Sequence, residues 1–164
     1  MVGLGAIGRA VARRALGFGM RVLGWTRSGR EVEGVEARPL ESLLADSAFV
    51  SVHVALAADT RNLIDHRALS RLPHGAVLVN TARGGIVDEE ALVEALRSGR
   101  LAAAALDVFE REPLDPKSPL LEAPRLILTP HIGSASVTTR IRMADLAVDN
   151  LLAGLDGRPL PHGA

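Results

Sequence analysis

The sequence contains no cysteine, which excludes disulfides, thiol nucleophiles and thiolate metal sites. It has no excess of either charge. Nineteen Lys and Arg balance nineteen Asp and Glu, so no net field draws the whole chain to nucleic acid or anionic lipid. Any anion site must be local. No uncharged apolar run approaches the roughly 20 residues of a membrane span, and glycines and arginines interrupt the N-terminal region where a secretory signal needs an apolar stretch. These absences predict a soluble chain, with no membrane or nucleic-acid partner and a cytoplasmic location. Internal repeats, low-complexity tracts and an interdomain linker are also lacking. His66, His74 and His162 have no acid or cysteine neighbours at ligand spacing, so no metal site is expected.

What is present points to one folded domain. Apolar residues make up 48% of the 164, against 23% charged, enough for a core and too little chain for two ordinary domains. Val/Ile/Leu-rich runs at 1–4, 21–25, 49–52, 76–80, 102–106 and 126–128, with a weaker one near Val35, alternate with segments of helical period. Most runs are apolar on both faces, as buried parallel strands are. The pattern predicts an α/β fold: a Rossmann-type doubly wound parallel sheet with helices on both faces, its first strand truncated to residues 1–4. Ile7, Val11 and Ala15 share one face of a first helix, with Ala12 and Leu16 beside it. A helix over 89–98 carries Asp88 as N-cap, Glu89 and Glu90 in its first turn, and Gly99 after its last. A final helix puts Val137, Ile141, Ala144, Val148 and Leu151 on one stripe and stops at Gly154. The expected organisation is a dinucleotide-binding domain over 1–154 and a loose tail over 155–164.

Gly3-Leu4-Gly5-Ala6-Ile7-Gly8 matches G-x-G-x-x-G between a predicted strand and a predicted helix. Spacing explains the chemistry. The first glycine permits the tight turn, the second lets backbone approach a pyrophosphate, and the third lets helix and strand pack closely. Such sites normally place an acid about 20 residues further on, for the adenosine ribose. Here Trp25-Thr26-Arg27-Ser28 stands there, with Arg30 beyond and no acid before Glu31. Hydroxyls and a guanidinium suit a 2′-phosphate, so NADP(H) is favoured and NAD(H) is the alternative.

Three later segments begin at carboxyl ends of predicted strands, the edge where open α/β sheets bind ligands. They are Asn80-Thr81-Ala82-Arg83-Gly84, Asp107-Val108-Phe109-Glu110-Arg111-Glu112-Pro113 and Pro130-His131-Ile132-Gly133-Ser134. Arg83 can clamp a carboxylate or carbonyl, His131 can carry a proton, and Glu112 can support an imidazolium. Singly, each is commonplace on a protein surface. Together they make a set sufficient for carbonyl reduction.

In these motifs, and in their order along nearly the whole chain, the sequence resembles the D-isomer-specific 2-hydroxyacid dehydrogenases. Within them it is most similar to the glyoxylate/hydroxypyruvate reductases. The resemblance implies that Arg83 binds the substrate's carboxylate and keto oxygen, that His131 is the general acid/base, and that Glu112 partners His131. It implies cofactor contacts from Gly3, Gly5, Ala6, Ile7, Gly8, Thr81, Ala82, Arg83, Asp107, His131, Gly133 and Ser134, with Asp107 meeting the nicotinamide carboxamide. Thr26, Arg27 and Ser28 join them at the adenosine end. Family members also carry a separate substrate domain ahead of the glycine loop, absent here, and commonly form homodimers. Residues 52–56 stand where the family has His-x-Pro-Leu, without the proline. Two functions follow. One is an oxidoreductase in which NADPH reduces a small 2-oxo acid to a D-2-hydroxy acid; the other is a non-catalytic dinucleotide-binding module.

Overall fold

The computed structural model describes residues 1–163. Its strands are β1 (Val22–Gly24), β2 (Val35–Ala37), β3 (Phe49–Val52), β4 (Ala76–Asn80), β5 (Leu101–Leu106) and β6 (Leu126–Leu128). They alternate with helices α1 (Ala6–Gly17), α2 (Leu40–Ala45), α3 (His66–Arg71) and α4 (Glu89–Arg97), and α5 (Val137–Leu155) closes the series. Every pairing is parallel: β1 on β2, and β3-β4-β5-β6 in that order.

Residues 1–4 do not form the expected strand. Val2 alone bridges, with Trp25 on one side and Val52 on the other, joining the two sheets: Val2 N–H to Ser51 O at 2.9 Å and His53 N–H to Val2 O at 2.7 Å on the β3 side, and Trp25 N–H to Met1 O at 3.0 Å and Gly3 N–H to Trp25 O at 2.8 Å on the β1 side. Pairing ends there because Gly3 turns to φ +100°, outside the extended region. The chain packs as two compact units, Met1–Pro130 and His131–Ala164, whereas the sequence suggested a boundary after Gly154.

In the first unit, buried Leu78, Leu101, Ala104 and Leu106 of the sheet share one core with Leu92, Val93 and Leu96 of α4. Removing such side chains from water stabilises by about 1.5–3 kcal/mol each. α4 starts where expected, because the Asp88 carboxylate accepts from Ala91 N–H at 3.0 Å. α1 follows the apolar face read from its sequence except at its start. Ala12 is buried, and Ala15 and Leu16 pack against the same cluster, whereas Gly8 is buried and Ile7 is 67% exposed. Close docking on the glycine turn selects the residue without a side chain there.

In the second unit, the Ser136 hydroxyl caps α5 by accepting from Thr139 N–H at 3.2 Å. The stripe of Val137, Ile141, Ala144, Val148 and Leu151 is exposed, and Ala153 is the helix's buried residue. The segment after α5 is not loose. Asn150 donates to His162 O and accepts from His162 N–H, both at 2.9 Å, and Arg158 N–H reaches Ala153 O at 2.8 Å. The expectation for Ala164 lies outside the described residues. Among those residues no helix is long and apolar enough to cross a membrane.

Candidate active site

The glycine turn is built by close approach. A Cβ on Gly8 would stand 2.1 Å from Gly3 O, and one on Gly3 would stand 2.7 Å from the His53 carbonyl. Glycine at these positions therefore seats α1 directly on the turn. Gly5 is different: it is the N-cap of α1 at φ −67°, and a Cβ there would meet nothing within 4 Å. Ala6 and Ile7 follow as exposed first-turn residues, and the first turn holds no acid. Open approach to backbone N–H groups at the positive end of a helix fits the pyrophosphate of a dinucleotide.

β4 delivers the candidate catalytic arginine. Asn80, buried at its end, folds the next residues with its own amide: Oδ1 accepts from Ala82 N–H at 3.0 Å and Nδ2 donates to Arg83 O at 2.9 Å. The side chain thus replaces strand pairing as the loop leaves the sheet. Arg83 is exposed, with Nη1 donating to Ala82 O at 2.6 Å. Gly84 lies so close to the next segment that a Cβ would sit 1.8 Å from Phe109 C and O. A groove of about 390 Å³ runs from Ile7 past residues 53–56 to Thr81, Ala82 and Arg83. It joins the glycine turn to the arginine.

β5 and β6 complete this edge. Asp107, 6% exposed, accepts from the Thr129 hydroxyl at 2.5 Å, and its N–H donates to Asn80 O at 3.0 Å. Glu112 Oε1 accepts from Phe109 N–H at 3.1 Å, which closes the turn carrying Glu112 before a cis Glu112–Pro113 peptide. Because Gly84 abuts Phe109, the arginine loop and the glutamate turn are packed together.

Residues 53–64, which lack the family's proline, are organised by other means. Buried Thr60 donates to Ala55 O and accepts from Ala57 N–H, both at 2.7 Å. Residues 62–64 are stitched to 85–88 by Asn62 N–H to Gly85 O at 2.7 Å, Ile64 N–H to Ile86 O at 3.0 Å and Asp88 N–H to Ile64 O at 3.0 Å. His53 Nε2 lies 2.8 Å from the Ser51 hydroxyl. Burial first, and the Met1 amino group second, hold this imidazole below its ordinary pKa.

At the adenosine end, the Thr26 hydroxyl accepts from Arg30 N–H at 3.1 Å and lies 3.4 Å from the Ser28 hydroxyl. Arg27 is engaged: Nη1 contacts both oxygens of Asp59, at 3.0 and 2.8 Å. Asp59 and Thr60 were not foreseen, since one acid and one hydroxyl in a loop form no spacing pattern. Asn80 was part of a recognised motif, but its bracing role needs the folded loop.

Arg83, Asp107, Glu112, the 26–28 segment and the glycine turn thus belong to the first unit. His131, Gly133 and Ser134 belong to the second. His131 adopts φ +55°, a left-handed conformation that costs a non-glycine residue about 1–2 kcal/mol. The chain then turns, with Ala135 N–H to Ile132 O at 2.9 Å. Among the described residues no three acid, histidine or cysteine side chains cluster as metal ligands.

A parallel sheet with a glycine turn docked against the following helix defines a Rossmann-type dinucleotide-binding domain. Residues 1–133 match the model of the D-isomer specific 2-hydroxyacid dehydrogenase NAD binding domain, and the chain belongs to that family. It is 49% identical over 166 residues to a glyoxylate reductase of Korarchaeum cryptofilum, covering 99% of this chain and 50% of the relative. A crystal structure of a Thermus thermophilus protein superposes with a TM-score of 0.92 at 51% identity, covering 98% of this chain and 51% of that one. An NADPH-dependent glyoxylate/hydroxypyruvate reductase of Sinorhizobium meliloti, solved with NADP and malonate, gives 0.87 at 44% identity, covering 93% and 49%. The chain spans about half the length of the curated relatives it matches.

Proposed function

We propose that this chain carries the dinucleotide site and the catalytic groups of a D-2-hydroxyacid dehydrogenase. Its substrate is a small 2-oxo acid, glyoxylate or hydroxypyruvate, with NADPH the preferred reductant and NADH the alternative. The observation that carries this reading is the single groove from the glycine turn at Ile7 to Arg83. Along one surface lie an open helix start, suited to an anion, and a guanidinium, suited to a carboxylate, which supports the reading. The relatives' names support the substrate class, and the NADP-bound neighbour supports the cofactor. A cytoplasmic homodimer accords with this reading.

When bound, the reduced nicotinamide supplies two electrons and a proton to the carbonyl carbon. The chain's own residues do the rest. Gly5, Ala6 and Ile7 present backbone to the pyrophosphate, while Thr81, Ala82 and Asp107 border the nicotinamide end. Arg83 makes a bidentate, charge-assisted contact with the substrate carboxylate and polarises the keto oxygen. His131 gives that oxygen its proton in reduction and takes it back in oxidation, and Glu112 stabilises the imidazolium. Gly133 and Ser134 complete the cofactor contacts.

The test is calorimetric titration of the purified protein with NADPH and NADH, then NADPH oxidation with glyoxylate or hydroxypyruvate. With a substrate domain of the family supplied, Arg83→Ala and His131→Ala are expected to cut turnover at least about a hundredfold, and Glu112→Gln to alter its pH profile. Near-normal rates in either alanine variant remove that residue from the mechanism. Tight cofactor binding without turnover favours the non-catalytic module, and absence of dinucleotide binding overturns both readings.

A further inference from the structure

The Arg27–Asp59 pair lies at the adenosine end, and nothing in the proposed reaction uses Asp59. The pair spans two loops. One leaves β1 and is closed by the Thr26 hydroxyl on Arg30 N–H; the other leaves β3 and is closed by buried Thr60. Val2 pairs with Trp25 and with Val52, so these loops flank the Gly3 turn on its two sides. A dinucleotide placed on that turn puts its adenosine ribose at the end of β1, beside Arg27.

We propose that Asp59 is a specificity-determining residue: a fixed carboxylate that competes with the 2′-phosphate of NADP(H) for Arg27 and so limits the protein's preference for the phosphorylated cofactor. This rests on the reading that Arg27 meets the 2′-phosphate. Asp59 takes both its oxygens to Nη1 of Arg27, one of the guanidinium nitrogens that a phosphate would use. Thr60 pins the backbone next to it. The Arg27 hydrogen bond holds the Asp59 carboxyl below the usual carboxylate range, so the competitor is ionised throughout the neutral range. A cofactor with a 2′-phosphate must share the guanidinium with the carboxylate or displace it, and in either case sits near its negative charge. One with a free 2′-hydroxyl leaves the pair intact and can hydrogen-bond to it.

The pair is exposed, 69% and 53% at the two side chains, so competition is modest and salt-sensitive. Asp59→Asn is expected to tighten NADPH about three- to tenfold at low salt and to change NADH by less than about twofold, with the difference shrinking as salt rises. Kd values for NADPH, NADH and adenosine 2′,5′-bisphosphate are measured by calorimetry on wild type, Asp59→Asn, Asp59→Ser, Arg27→Ala and the Arg27→Ala/Asp59→Asn double variant. Thermal melts verify that each remains folded. In the Arg27→Ala background, most of the gain from Asp59→Asn is expected to vanish. If Arg27→Ala weakens NADPH while the Asp59 variants change nothing, or change NADPH and NADH equally, the competitor role of Asp59 falls and Arg27 keeps its own. If Arg27→Ala leaves the NADPH to NADH ratio unchanged, both ideas fall.

Discussion

Gly84→Ala tests whether the arginine loop and the glutamate turn are one packed body. The added methyl would lie 1.8 Å from two backbone atoms of Phe109 and 2.4 Å from Glu110 N, where ordinary contacts begin near 3.4 Å. The obstructing atoms are main chain, so no rotamer change relieves the clash. One segment must move by about 1.6 Å, the difference between 3.4 and 1.8 Å. Overpacking alone costs about 1–3 kcal/mol. The shift also pulls on the Asn80 amide, whose two loop hydrogen bonds lie at a position 1% exposed, and an unsatisfied buried polar group costs about 1–3 kcal/mol. We expect a loss of about 3 kcal/mol or more. At a urea m-value of about 2 kcal/mol/M, that lowers the unfolding midpoint by about 1.5 M. Urea unfolding followed by circular dichroism is the assay, with an unchanged slope as the check on two-state behaviour. A loss below about 1 kcal/mol, the low end of overpacking costs, would show that the loop slides freely past Phe109, and the packed-body argument would be wrong.

Gly5→Ala is the counterpart in which function suffers more than stability. Its φ is ordinary and an added Cβ would meet open space, so the loss of stability should stay at about 1 kcal/mol, from the poorer N-cap, while the methyl blocks the helix start and weakens dinucleotide binding about tenfold or more; unchanged Kd values would refute the placement. For His53, burial favours the neutral ring. The folded state therefore takes up its proton at lower pH than the unfolded chain, and the stability this confers is present above about 6.5 and declines as pH falls through that value toward the lower folded pKa. Proton NMR should show His53 titrating below the ordinary range, and His53→Gln should flatten that part of the stability profile; a titration at or above about 6.5 would remove the effect.

The strands from β3 onward were legible because each is a short apolar run between turn residues, although burial is not two-sided as the composition suggested: β4 buries alternate residues, and β6 leaves Ile127 67% exposed. α4 was legible because Asp88 and Gly99 punctuate both ends. Residues 1–4 misled because composition records strand propensity but not Gly3's positive φ, which ends pairing after Val2. α1 misled only at its start, where Gly8 and not Ile7 docks on the turn, while Ala12, Ala15 and Leu16 pack as their spacing implied. α2 and α3 are six residues each, too short for a periodicity to stand out. The positions of Arg83, Glu112 and His131 after strands were readable, because each motif contains its own turn chemistry. Asp59 was not, since its partner lies 32 residues away and their meeting depends on strand order.

The stitch between residues 62–64 and 85–88 bears on how these domains can be recombined. The loop that carries Asp59 and the loop that follows β4 through Arg83 share three main-chain hydrogen bonds, and an Arg61–Glu110 ion pair at 3.0 Å ties the first of them to the turn before Glu112. Backbone bonds transmit position regardless of side-chain identity. A chimera that takes residues 53–64 from one relative and 80–88 from another therefore inherits a mismatched seam, whatever its individual residues. The two loops are portable only as a pair, both moved from the same parent.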